Sequence, residues 1–123
     1  DLSVTVTAIV PDMIQAWPQG NAPPMQCPVG NAVALHCQGI DIVVNSRRCQ
    51  VFSPEVFSKC GIDPMQRQLL VVKSIQHFYA GFEPIAAQVI YMSAPGAIPL
   101  HFTEIPYTRV DTRKFPWVDN PFE

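Results

Sequence analysis

A length of 123 residues, with 48% apolar and 15% charged, suits one domain with a substantial core and excludes a disordered or highly charged segment. A formal charge of −2 excludes the sequence-wide positive field that draws proteins to nucleic acid or anionic lipid. No apolar run approaches the roughly 20 residues of a membrane-spanning helix and no leader pattern opens the chain, so neither nucleic acid nor membrane is an expected partner, and the expected location is cytoplasmic.

At the start, Leu2, Val4, Val6, Ala8 and Val10 alternate with Ser3, Thr5, Thr7 and Ile9, which reads as a strand already under way. With Asp1 in place of an initiator methionine, the expectation is the C-terminal piece of a longer parent. Residues 11–30 hold five of the 13 prolines and read as a Pro-rich loop, although Met13, Ile14, Trp17 and Met25 imply that part of it packs or docks on a neighbouring domain. Residues 33–46 read as a hairpin, with Gln38-Gly39 as a two-residue turn. His36 lies on its first strand, where a hydrogen-bonded sheet histidine is the commoner fate than a ligand. The second strand, Ile40–Ser46, is apolar on both faces, as a strand covered on both sides should be.

Ser53, Pro54, Glu55 and Gly61 bracket a helix, and Asp63-Pro64 opens a short helical turn. Leu69–Val72 is the next apolar strand, ending at Lys73. Ser74 then caps a helix carrying Ile75, Phe78, Phe82 and Ile85, kinked at Pro84, and Val89, Ile90 and Met92 make a third strand. The expected fold is therefore α/β: a small three-layer-type domain with a parallel βαβαβ core over about 40–94, right-handed crossovers and antiparallel edge strands. Residues 95–123 are expected to be an extended Pro-rich tail anchored by Phe102, Tyr107, Phe115 and Trp117, and 1–123 to form one domain.

The cysteines at 27, 37, 49 and 60 have no metal-ligand or redox spacing and read as free thiols. Cys49, following Arg47 and Arg48, is the one in a locally positive setting. The histidines at 36, 77 and 101 form no ligand motif, so no metal is assigned to this chain. Chemistry is expected at the carboxyl ends of the parallel strands. There, Arg47 or Arg48 with Lys73 beside a helix capped by Ser74 would form an anion site for a carboxylate or phosphate. The alternative is that these cations pair with carboxylates across the edge while Ser74 merely caps. His77, on the first helical turn, is a candidate to orient substrate or assist proton transfer, against a purely structural histidine.

Taken in order, the runs NSRRCQVFSPEVFSKCGIDP, LLVVKSIQHFYAGFEPIA and VIYMSAPGA resemble the C-terminal domain of the MlrC-like (microcystin-degradation) metallopeptidases, over about residues 29–121. The tail TRKFPWVDNP resembles that family's closing pattern. By this resemblance Arg48, Gln50, Lys73, Ser74, His77, Pro95 and Gly96 occupy motif positions, and Ser93-Ala94 departs from the more usual Asp-Thr. What it implies is a parent zinc-dependent peptidase or amide hydrolase whose zinc and catalytic ligands lie in a preceding N-terminal domain, the partner of this one. No cofactor would be bound here. The implied role is an accessory domain completing the cleft, with Arg47, Arg48, Gln50, Lys73, Ser74 and His77 facing a peptide or small molecule bearing a carboxylate. A structural or oligomerisation domain (a homo-oligomer included) and an independent anion-binding module are the competing readings.

Overall fold

The computed structural model describes residues 2–94 and 101–122. Two compact units are present, Asp1–Val89 and Ile90–Glu123. In the first, β1 (Thr5–Gln19), β2 (Ala22–Cys37) and β3 (Ile40–Asn45) form an antiparallel sheet in that order. The β2–β3 turn is Gln38-Gly39, with φ of 50° and 81°, the two positive values that the tightest hairpin turns require.

The stretch expected as a Pro-rich loop, 11–30, instead forms most of a long hairpin. Gly20-Asn21 turns it in two residues, with Gln19 opposite Ala22. Its prolines are tolerated because the ladder is irregular where they fall. β1 passes from Val10 to Met13 while β2 moves only from Ala32 to Gly30, so Pro11-Asp12 holds an extra residue. Asp12 takes a φ of 45° there, and its N–H donates to Asn31 Oδ1 at 3.0 Å. Between Trp17 and Gln19 the excess lies on the other strand, at Pro23-Pro24. Gly30 is confined for a second reason: its φ is 76°, and a Cβ would collide with Ser46 Oγ.

One face of the sheet carries Ala8, Val10, Ala32, Ala34 and Val43, and the core forms against it. Ala32 and Ala34 are fully buried beneath Val56, Cys60 and Ile62, from α1 (Glu55–Ser58) and the turn after it. Small residues on the strands let this short helix approach closely. The predicted punctuation of α1 is present. Ser53 Oγ accepts from Glu55 N–H, and Gly61, with φ of 76°, closes the C-terminus as Ile62 N–H reaches Phe57 C=O. Asp63 accepts from Met65 N–H and starts the 3₁₀ turn Pro64–Gln66. Further on, α2 (Tyr79–Phe82) buries Phe78 and Phe82, and Gly81 meets the Phe52 carbonyl too closely to admit a Cβ.

The parallel βαβαβ core expected over 40–94 is not formed. All pairing among the described residues is antiparallel, and β3 ends the sheet. The connections are long enough for parallel crossovers, but they hold only the four-residue helices α1 and α2, too short to lie along a sheet as crossover helices do, and the segments they lead to join no ladder. Leu69–Val72 and Val89–Met92 carry no ladder, and the helix expected from Ser74 shrinks to α2 and the 3₁₀ turn Glu83–Ile85. Apolar runs of four or five residues do not by themselves say what a segment pairs with.

In the second unit, Phe102–Glu104 forms a 3₁₀ turn and Tyr107 packs edge-on against Trp117 at 5.7 Å, so two of the four aromatic anchors expected of the tail meet each other. Pro95, Gly96 and the side chain of Phe102 lie outside the described residues. Among the described residues no helix is long and apolar enough to cross a membrane.

Candidate functional site

The segment after β3 is held by a side chain that sequence reading passed over. Met13, Gln15 and Trp17 alternate toward one side of β1, and Gln15 is fully buried. Its Nε2 donates to the Gln50 carbonyl at 2.7 Å, and its Oε1 accepts from Phe52 N–H at 2.8 Å. A primary amide reads a backbone peptide with one donor and one acceptor, so Gln15 fixes residues 50–52 as a neighbouring strand would. Cys49 Sγ, 3.6 Å from the same Nε2, receives a weaker contact.

With its backbone fixed, Gln50 turns its own side chain to the next segment. Its Oε1 accepts from Ser74 Oγ–H at 3.0 Å and from Ile75 N–H at 3.3 Å. Gln50, Ser74 and Lys73 are thereby brought together. Ser74 does not act as the expected cap, since its hydroxyl is committed to Gln50 and the first α-helical residue is Tyr79. Beside this junction a hollow of about 470 Å³ runs along β3, with Met13, Gln15, Val56 and Phe57 among its walls and Asp41 and Lys73 as its charged residues.

These two charges differ in their commitments. Asp41 Oδ1 lies 2.7 Å from His36 Nδ1, and its Oδ2 lies 2.6 Å from Arg67 Nη2. The hydrogen bond from His36 holds the Asp41 carboxyl below its ordinary range; burial opposes it, and the charges of Arg67 and His36 add to the lowering. Lys73 forms no ion pair with any described residue. Of the two readings for its charge, pairing across the edge is not the one adopted among those residues.

The other expected site residues are placed differently. His77 packs on Trp17 at 4.7 Å between ring centroids, and Trp17 stacks on Phe52 at 4.8 Å, so the imidazole caps an aromatic stack and is not on a helical turn. Arg47 donates its N–H to the Val29 carbonyl and runs its stem over Gly30, beside the base of the β2–β3 hairpin. Arg48 is exposed. Neither arginine lines the hollow.

Glu55 is a further group that sequence reading passed over, beyond its place at a helix start. Its Oε2 accepts from Lys59 at 3.0 Å and from Ala16 N–H at 3.0 Å, tying α1 to β1. The Lys59 hydrogen bond first, then that from Ala16, hold its carboxyl below the usual range, although burial opposes them. Burial pushes the Cys60 thiol up, as suits an unreactive core cysteine. Among the described residues no three His, Cys, Asp or Glu side chains gather as a metal centre would need, so these residues do not fit a zinc site. Gln15 had one legible signal, a polar residue at a core position of an alternating strand; the Gln50–Ser74 link joins residues 24 apart and had none.

The sequence model of the family described as MlrC C-terminus matches residues 1–109. Microcystinase C of Sphingomonas sp is 29% identical over 94 residues, which are 76% of this chain and 18% of that protein. The chain therefore spans about a fifth of the length of this curated relative.

Proposed function

From the premise that the chain belongs to the MlrC C-terminus family, we propose that it is the accessory part of a larger zinc-dependent peptidase or amide hydrolase and forms the substrate-side wall of its cleft. Zinc and the bond-breaking groups would be supplied by the preceding N-terminal part of the parent. The observation that carries the reading is Lys73, unpaired among the described residues and set beside Gln50 and Ser74 at a mainly apolar hollow. A cation beside apolar walls suits a peptide that presents both a carboxylate and hydrophobic side chains. Lys73 would take the carboxylate, Gln50 and Ser74 would hold Lys73's segment in place, and His77 on the Trp17–Phe52 stack would border the substrate. The name of the relative makes a microcystin the first substrate to try.

Lys73→Ala in the full-length parent should lower kcat/KM roughly tenfold to a hundredfold, the worth of one charge-assisted contact, with zinc content unchanged and partial recovery in Lys73→Arg. Unchanged turnover, or loss of zinc along with it, would remove the reading.

A further inference from the structure

The register divides the sheet into two faces of unlike fate. Opposite the core-facing set, the second face is built from three cross-strand rows: Val6–Leu35–Ile42, Ile9–Val33–Val44 and Cys37–Ile40. All eight side chains are apolar and none is charged. Yet Val6 is 54% exposed, Ile9 67%, Ile40 63% and Val44 50%. An antiparallel sheet with one wet face ordinarily alternates apolar inside with polar outside. Here the charged row Thr5–His36–Asp41 lies on the core-facing side, and these three rows of the other side are apolar, as in a face that is covered. With strands about 4.8 Å apart and a rise of about 3.3 Å per residue, the patch measures roughly 20 by 15 Å. That is about 300 Å², within the range of the largest apolar patch on a monomer, which is often functional.

We infer that this face is the seat of the preceding domain of the parent chain. The inference rests on the reading of the chain as the C-terminal part of a longer protein, not on any role in a cleft. Three observations select this occupant. About four-fifths of the relative's length lies outside the matched segment, so a large partner joined to this one is at hand. A C-terminal part is joined to what precedes it through its first strand, and the apolar stripe runs that way: Leu2 and Val4, both exposed, continue the alternation of Val6 toward the junction. A covalently joined partner arriving at the margin of the patch has a high effective concentration there. Finally, a face without charge fits a permanently buried contact, whereas interfaces that open and close keep more polar surface.

The test uses the full-length parent and site-resolved thiol labelling read by peptide mass spectrometry. Ile9→Cys and Val44→Cys place thiols at two exposed positions of one cross-strand row, and the native Cys37 on the same face reports without any substitution. The inference predicts labelling slowed roughly tenfold or more at positions 9 and 44 relative to the denatured protein, unchanged on dilution. Smaller slowing overturns it. Protection that fades on dilution assigns the face to a second copy and equally overturns it. Should either variant fail to fold, the same criterion is applied to Cys37 in the unaltered protein. Because labelling is independent of turnover, failure here and failure of the cleft reading are told apart by Lys73→Ala.

Discussion

Both faces of the three-stranded sheet carry apolar rows, but the rows are made of different residues. The covered face presents Ala8, Val10, Ala32, Ala34 and Val43, with small side chains where α1 must approach. The open face presents Val6, Ile9, Val33, Leu35, Ile40, Ile42 and Val44, larger and partly in contact with water. Hydrophobicity alone does not distinguish the two; the size of the side chain does, because a helix lying directly on a sheet leaves little room above the strands it crosses. The covered face is also fastened by polar groups, Gln15 to residues 50–52 and Glu55 with Lys59 to β1. The three rows of the open face are apolar; the polar bonds on that side lie beyond them, where Asn31 Oδ1 accepts from Asp12 N–H and Ser46 Oγ accepts from Asn31 N–H.

Substitutions can break or sharpen this contrast. The largest effect is expected on the fastened side: Gln15→Leu leaves the Phe52 N–H without its partner and the Gln50 carbonyl with only the weak Cys49 thiol, which should cost about 2–4 kcal/mol in denaturant unfolding. It should also loosen the Gln50–Ser74 junction, since the Gln50 backbone would no longer be held. Next, Ala34→Leu overfills the space beneath α1 and should cost about 1–3 kcal/mol. Ile9→Thr, on the open face, should change the stability of the chain by itself by no more than about 0.5 kcal/mol. The same Ile9→Thr made in the full-length parent should cost more. Equal effects for Ala34→Leu and Ile9→Thr in the chain would erase the distinction between the faces.

What could be read in the sequence was local. Gln38-Gly39, the Ser53 and Gly61 bracket of α1, and the Asp63-Pro64 turn are each set by residues within one turn of one another, and the structure contains all of them. The long β1–β2 hairpin was hidden by its prolines, which mark bulges here, and its Gly20-Asn21 turn was a usable signal left unread. The parallel core was misjudged from Leu69–Val72 and Val89–Met92, whose apolar character reports a need for burial but not a pairing partner. At the candidate site, Lys73 and Ser74 are named by their place at a strand end and Gln50 by the family resemblance, and the structure brings the three together. Their mutual geometry depends on Gln15, 35 residues from Gln50, which no local pattern reveals.

The most direct test of the account is to measure zinc content and peptide hydrolysis for the full-length parent beside those of this chain alone. The account predicts that the parent retains zinc and hydrolyses peptide, while the chain alone does neither. Stoichiometric zinc and hydrolysis in the isolated chain would contradict it.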